Sequence, residues 1–313
     1  MDGELKIFSG SSNRGLAARI ANTLGRPLGE ARVEHFPDGE ADIQILENVR
    51  GTDVFVVQST CAPVDRNLMQ LLIMIDALRR ASAGRVTALI PYFGYARQEK
   101  KSTGREPITA KLVANILEAA GVSRIVTLDL HAPAVQGFFD IPVDHLLAAP
   151  LLADAIDRMR LTQPVIVSPD AGGVTRAHDF SQRVAGAPLA VVFKNRTAAD
   201  KIEHLQIVGE VEGRDAIVVD DQVSTGHTLV EASEALRERG ARSVYGCAVH
   251  PVFASDALER IQDAPIERLF ITDTIPIEDG LMNGKIQLVH THELFGEAVR
   301  RIHNDESVTA LFK

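Results

Sequence analysis

The sequence has no surplus of positive charge. Its 33 Lys and Arg stand against 42 Asp and Glu, a formal net charge of −9. That argues against a nucleic-acid binder, which presents a basic face. It also sets a condition, because a polyanionic substrate repelled by the average field must be met by clustered cations, by a divalent metal, or by both. Cysteine is scarce: Cys61 and Cys247 lie far apart and form no metal-like pair, as in a reducing compartment with free thiols. Long apolar runs are missing too. The most apolar helical stretch, Leu68–Leu78, is interrupted by Asp76 and is too short to span a bilayer. Residues 1–9 contain no cationic segment followed by an apolar core, so the expectation is a soluble cytoplasmic protein with no membrane partner. Neither a Walker A sequence nor a Gly-x-Gly-x-x-Gly turn occurs, so any nucleotide must be held by other means than the common phosphate loops.

What is present is an ordinary globular balance, 45% hydrophobic and 24% charged, over 313 residues, enough for two domains with separate cores. Short β-branched runs at Val54–Gln58, Val86–Pro91, Ile125–Leu130, Val165–Ser168, Leu189–Phe193, Ala216–Asp220 and Ser243–His250 read as buried strands. Helical patterns at Asn67–Ala81, Ile108–Ala120, Pro150–Met159 and Thr228–Arg239 fall between several of them. The alternation predicts an α/β fold with mainly parallel sheets flanked by helices. A faint repeat suggests two similar α/β domains in tandem: Ala77-Leu-Arg-Arg80 precedes one Pro-terminated strand, and Ala235-Leu-Arg-Glu238 precedes another. The turn-rich segment 140–150 is the best boundary, giving an N-terminal domain at 1–146 and a C-terminal one at 147–294. A final helix, Glu293–His303, and residues up to 313 would cross back to the first domain.

The most informative stretch is residues 217–228, Ile-Val-Val-Asp-Asp-Gln-Val-Ser-Thr-Gly-His-Thr. A buried strand ends in two carboxylates, and a turn bearing hydroxyls and Gly leads into a helix. Ligands of open parallel sheets bind where strands end and helices begin. Backbone N–H groups and the hydroxyls of Ser224, Thr225 and Thr228 would face an anion, with a helix N-terminus behind them. Asp220 and Asp221 could accept bonds from vicinal hydroxyls, so the pattern fits a sugar phosphate. The plainer reading is a βα turn whose acids cap the helix.

Other candidates also sit at strand ends. Pro91-Tyr-Phe-Gly-Tyr-Ala-Arg-Gln-Glu-Lys-Lys101 joins aromatics to Arg97, Lys100 and Lys101, a set suited to a purine and its phosphates or to a solvated loop with aromatic anchors. His131 and Asp170 each end a strand and would suit Mg²⁺, an ion that keeps several waters and takes few protein ligands. A lone strand-end His is more often a hydrogen-bonded core residue. Gly172 and Gly173 beside Asp170 would let backbone approach a ligand. Lys194 and Arg196, at alternate positions after a strand, could form a clamp on a transferring phosphoryl group, or simply a charged edge hairpin.

These pieces occur together and in order in one family. The chain closely resembles the ribose-phosphate diphosphokinases, also called phosphoribosyl pyrophosphate synthetases. The resemblance runs nearly end to end, through Phe36-Pro-Asp-Gly-Glu40, Pro91-Tyr-Phe-Gly-Tyr-Ala-Arg-Gln98, Asp129-Leu-His-Ala132, Ser168-Pro-Asp-Ala-Gly-Gly-Val174 and Thr272-Asp-Thr-Ile-Pro276. It implies two phosphoribosyltransferase-like domains and transfer of the diphosphoryl group of ATP to the 1-hydroxyl of ribose 5-phosphate, with a product used in nucleotide biosynthesis. It further implies that Phe36, Asp38, Gly39 and Glu40 of one subunit hold adenine beside Arg97 and Gln98 of another. By the same resemblance His131 and Asp170 serve Mg²⁺, Lys194 and Arg196 are the catalytic loop cations, Asp220 and Asp221 hold the ribose hydroxyls, and Ser224, Thr225, Gly226, His227 and Thr228 cradle the 5-phosphate. Self-association, as a hexamer, is implied as well. Arg50, Ser82, Ala83, Ser307, Val308 and Thr309 match positions linked to control by phosphate and ADP.

The chain departs from the family at several points. Ser224 stands where Asp is common, His227 where Gly is common, Asn195 where a second Arg is common, and Asn48 where Ser is common. The Ser removes a charge near the incoming phosphate. The His raises the expectation of strain, because a Gly at that position can take φ > 0.

Overall fold

The computed structural model describes residues 3–195, 204–278 and 284–312. The chain divides into two compact units, Met1–Leu147 with Thr274–Pro276 and Thr291–Lys313, and Ala148–Asp273 with Ile277–His290.

The first unit runs β1 (Leu5–Ser9), α1 (Arg14–Thr23), β2 (Ala31–His35), β3 (Ala41–Ile45), β4 (Asp53–Val57), α2 (Val64–Arg80), β5 (Arg85–Ile90), α3 (Thr109–Ala120), β6 (Arg124–Leu128) and β7 (Val143–Leu146). The second runs α4 (Ala149–Asp157), β8 (Pro164–Ser168), α5 (Val174–Arg183), β9 (Leu189–Asn195), β10 (His204–Val208), β11 (Asp215–Val223), α6 (His227–Glu238), β12 (Ser243–Pro251), α7 (Ala257–Asp263), β13 (Arg268–Thr272) and β14 (Ile286–Val289). The last helix, α8 (His292–His303), belongs to the first unit.

In the first unit five parallel strands are ordered β1-β4-β5-β6-β7, and β2–β3 form a separate antiparallel hairpin. Every residue of β4 is buried, as expected of a central parallel strand covered on both faces. Leu71, Met74, Ile75 and Leu78 recur at helical spacing on α2 and pack with Val54, Val56, Val86, Ala88 and Ile90. In the second unit the order is β10-β9-β8-β11-β12-β13-β14, parallel except for the antiparallel edge strand β10. Val165, Val167, Ala216, Val218 and Val244 form its core with Leu229, Ala232 and Leu236 of α6.

The α/β class and the mainly parallel sheets match the sequence expectation. The short or polar elements were not read from sequence. The hairpin strands Ala-Arg-Val-Glu-His and Ala-Asp-Ile-Gln-Ile are only partly buried, and α5 buries little beyond Ala177, Phe180 and Ser181. Their hydrophobic signal is too thin to stand out from a loop. Strand β11 also extends to Val223, three residues past its expected end, because Gln222 and Val223 still pair with His250 and Pro251 of β12.

Helix α8 is held against α1 through buried Phe295, Val299 and Ile302, and Gly296 lets it approach closely, since a Cβ there would lie 2.8 Å from Thr23 Cγ2. A buried carboxylate ties the end of α8 to the sheet: Asp53 accepts two bonds from Arg85 at 2.7 and 2.6 Å and one from His303 Nδ1 at 2.8 Å. Arg85 Nη2 also donates to the Ile302 carbonyl at 3.1 Å. On the outer face Glu297 bridges Arg300 and Arg301.

The Arg300 hydrogen bond, joined by that of Arg301, holds the Glu297 carboxyl down at about 2, against an ordinary value of 4.5 and despite the upward pull of desolvation. Its contribution to stability is therefore complete above about 4.5 and is lost as pH falls through about 2. Glu297→Gln should melt at a lower temperature than the parent at neutral pH. The gap between the two melting curves should narrow between pH 4.5 and 2, and a gap independent of pH would contradict the assignment.

Candidate active site

The site residues of the second unit lie at the carboxyl ends of adjacent strands. β8 lies between β9 and β11, with Ser168 opposite Val191 and Val167 opposite Val218. Asp170 follows the end of β8, and Lys194 and Asp220 lie farther along β9 and β11. Two helices also begin at this edge, α5 behind the N-cap Gly173 and α6 behind the N-cap Gly226. The free N–H groups of a helix's first turn and its dipole favour an anion at such a place.

Asp220 and Asp221 lie on β11 as expected, but the strand runs on to Val223, so they are not its last residues. Asp221 is buried, and its backbone N–H donates to Asp220 Oδ1 at 2.8 Å. Arg176, on the first turn of α5, lies between the two acids, 3.0 Å from Asp220 Oδ1 and 3.3 Å from Asp221 Oδ1. Burial, followed by a side-chain hydrogen bond with Asp221 and repulsion from it, pushes the Asp220 carboxyl well above the usual carboxylate range, while Arg176 and the Asp221 backbone N–H pull the other way. Sequence reasoning missed Arg176. The available signal was its place as the third residue after the Gly pair, where a helix starting at Val174 must turn it toward the strand ends.

Gly226 carries φ +80, and its Cβ would lie 3.4 Å from the Ala257 carbonyl. Ala254 N donates to Ser224 O at 3.0 Å, and Arg260 Nη1 donates to Thr225 O at 3.0 Å, so the turn is braced from the β12–α7 side. Thr225 and His227 are exposed, and Ser224 and Thr228 are partly so. His227 is the first residue of α6, and the left-handed position is Gly226 before it. The strain expected at His227 is therefore absent.

Asp170 is exposed, and its Oδ1 accepts the Gly173 N–H at 2.9 Å. A carboxylate with one such bond keeps acceptor capacity for a cation. Gly173 serves packing as well, because a Cβ there would lie 2.9 Å from Ser168 Oγ. Lys194 lies on β9 opposite Leu205 of β10, so the edge-hairpin alternative describes its backbone, and Arg196 falls outside the described residues. Beyond β13 and β14, Asp273 Oδ2 lies 2.9 Å from His290 Nδ1, an acid–imidazole pair that was not among the expected metal ligands.

In the first unit, Phe36, Asp38, Gly39 and Glu40 form the tip of the β2–β3 hairpin. Phe36 N donates to Glu40 O at 2.8 Å, Glu40 N to Asp38 Oδ1 at 3.1 Å, and Gly39 sits at φ +95. Phe36 is 49% exposed, an aromatic face left open at a hairpin tip. Arg97 and Gln98 are exposed after β5, and Gln98 Oε1 accepts from Thr109 Oγ1 at 2.5 Å. His131 is exposed beyond β6, which removes the core-histidine alternative. The partly buried His145 nearby accepts from Leu130 N at 2.8 Å.

The residues linked by resemblance to regulation all lie in this first unit. Arg50 N donates to Asn48 Oδ1 at 3.0 Å, and Gly51 N to Ser82 O at 2.8 Å, with Ser82 at φ +65 and Ala83 following. Ser307 O accepts from Arg301 Nη1 at 2.8 Å and Ser307 Oγ from Thr309 N at 3.2 Å, while Val308 O accepts from Leu311 N at 2.9 Å.

Residues 5–121 match the model of the N-terminal domain of ribose phosphate pyrophosphokinase, and residues 191–313 match that of the phosphoribosyl synthetase-associated domain. A ribose-phosphate pyrophosphokinase of Caldanaerobacter subterraneus subsp. tengcongensis is 52% identical over 98% of both chains. The chain belongs to the ribose-phosphate pyrophosphokinase family. A relative from Listeria innocua, ribose-phosphate pyrophosphokinase 1, is 50% identical over 100% of this chain and 98% of its own. The crystal structure of phosphoribosylpyrophosphate synthetase from Mycobacterium smegmatis matches with a TM-score of 0.92 and 38% identity, covering 96% of this chain and 99% of that one. Among the described residues no helix is long and apolar enough to cross a membrane.

The geometry of the turn yields a contrast. Gly226→Ala forces a side chain into the left-handed region and should cost about 1–2 kcal/mol. His227→Gly relieves no strain and should cost the helix end at most about 1 kcal/mol. Denaturant unfolding of the two variants checks this, and equal or reversed losses would place the strained position elsewhere.

Proposed function

We propose that this chain transfers the diphosphoryl group of ATP to the 1-hydroxyl of ribose 5-phosphate, giving 5-phosphoribosyl 1-diphosphate and AMP. The observation that carries the reading is the pair Asp220 and Asp221 beside a glycine-capped helix N-terminus. Hydroxyl acceptors next to an anion cradle are what a sugar phosphate requires. Asp220 and Asp221 take the ribose hydroxyls, and the turn Ser224–Thr228 takes the 5-phosphate through backbone N–H and hydroxyl donors. Replacing a common Asp by Ser224 adds a donor there and removes a repulsion.

The hairpin tip Phe36–Glu40 and the pair Arg97–Gln98 bind the adenine nucleotide, with self-association bringing one subunit's hairpin to another's site. The anomeric oxygen bonds to the β-phosphorus as the bond from that phosphorus to the α,β-bridging oxygen breaks, AMP leaves, and the hydroxyl proton passes to solvent. Lys194 and Arg196 neutralise the transferring group, so the chain's own contribution is chiefly positioning and charge. His131 and Asp170, both exposed strand-end residues, would hold Mg²⁺, which supplies charge neutralisation at phosphate oxygens.

Two measurements test these roles. Lys194→Ala should lower kcat by about 10²-fold or more while KM for ribose 5-phosphate changes little, since the charge is needed mainly in the transition state. A raised KM at unchanged kcat would reassign Lys194 to ground-state binding. His131→Ala should shift the Mg²⁺ titration of activity to higher concentration, and a superimposable titration would remove His131 from the metal site.

A further inference from the structure

Helix α2 opens with two charged neighbours, and each reaches a different element of the first unit. Arg66 Nε donates to His35 Nε2 at 2.8 Å, with Arg66 Nη2 2.7 Å from His35 Nδ1. His35 is the last residue of β2 and directly precedes Phe36. Asp65 Oδ1 accepts the Tyr95 hydroxyl, a bond that raises the phenol above its ordinary range. Tyr95 stands two residues before Arg97 at φ +66, a costly conformation for a bulky residue, and its carbonyl accepts from Gln98 N at 2.9 Å.

Packing alone does not set these elements. Val33, Ile43 and Ile45 seat the body of the hairpin on the core, but beside its tip a cavity of ≈ 460 Å³ opens against α2. His35, Gly39, Glu40, Arg66, Met69 and Ile73 line it. A tip bordering open space relies on directed side-chain bonds for its angle. In the turn carrying Arg97, Phe93 and Ala96 are anchored in the core while Arg97 and Gln98 are exposed, and the Tyr95 hydroxyl adds a directed bond to α2.

We propose that Asp65 and Arg66 are positioning residues for the reaction, one helix turn setting the placement of both adenine-nucleotide elements. Arg66 acts through His35 on the hairpin, and Asp65 acts through Tyr95 on the Arg97–Gln98 turn. Neither touches the nucleotide, and the inference rests on the nucleotide roles proposed above for Phe36–Glu40 and Arg97–Gln98. It also gives the Arg66–His35 pair a use: an exposed contact of this kind adds little to stability.

Steady-state kinetics on the full chain test it. Arg66→Ala, His35→Ala, Asp65→Ala and Tyr95→Phe should each raise KM for ATP about fivefold, the scale of one lost hydrogen bond. KM for ribose 5-phosphate and kcat should stay within about twofold. The double variant Arg66→Ala/His35→Ala should match the single variants, because both remove the same bond. Asp65→Asn keeps an oxygen that accepts the Tyr95 hydroxyl and should recover most of the loss. Phe36→Ala and Arg97→Ala are the reference arms. If these raise KM for ATP and the α2 variants do not, the positioning role is overturned while the nucleotide assignment stands. If the reference arms also leave KM for ATP unchanged, the nucleotide assignment fails and the inference fails with it. Additive effects in the double variant, or equal losses for both substrates, would mean a general structural role and would overturn the proposal.

Discussion

Two carboxylates side by side near the end of a buried strand repel each other and lose hydration together, so they need a cation. Arg176 provides it, lying within 3.3 Å of both acids. The rest of the second unit follows from that requirement. β11 must neighbour β8 so that α5, which follows β8, can bring Arg176 across. Gly173 must cap α5 closely against Ser168 for the helix to start in the right place. The Asp220 carboxyl still lies well above the usual carboxylate range, because burial and Asp221 outweigh Arg176.

The same economy governs the turn after β11. One left-handed residue, Gly226, reverses the chain, and the helix begins immediately after it. That leaves His227 in ordinary helical backbone. The chain's departure from the common family pattern at this position therefore changes a side chain at the turn without changing the turn's backbone. The first unit has a different logic. Its nucleotide candidates are carried on a hairpin and a turn outside the main sheet, and α2 makes a side-chain hydrogen bond to the foot of each.

The strongly patterned elements were legible in the sequence. β4, β5, β8, β11 and β12 declare themselves as short β-branched runs, and α2 does so by its apolar spacing. Their order was enough to establish parallel sheets, and the strand-end positions of Asp170, Lys194 and Asp220 followed. The hairpin strands β2 and β3, the polar helix α5 and the edge strand β10 were not legible. Each is half-solvated, so tertiary pairing rather than hydrophobic periodicity defines it. Arg176 was hidden for the same reason, since its helix was not recognised.

By itself the sequence determined the fold class, the family and the residue types gathered at the strand ends, because burial pattern and local turn chemistry are written in consecutive residues. Only the tertiary structure decided which charges meet. Arg176 and Asp220 are 44 residues apart, and Arg66 and His35 are 31 apart. Neither spacing carries a local signal. It also decided that φ +80 falls on Gly226 and not on His227, a matter of where β11 stops pairing and α6 starts. Such boundaries depend on the partner strand, and the partner of β11 that prolongs it is β12, which follows more than twenty residues after the paired Asp220.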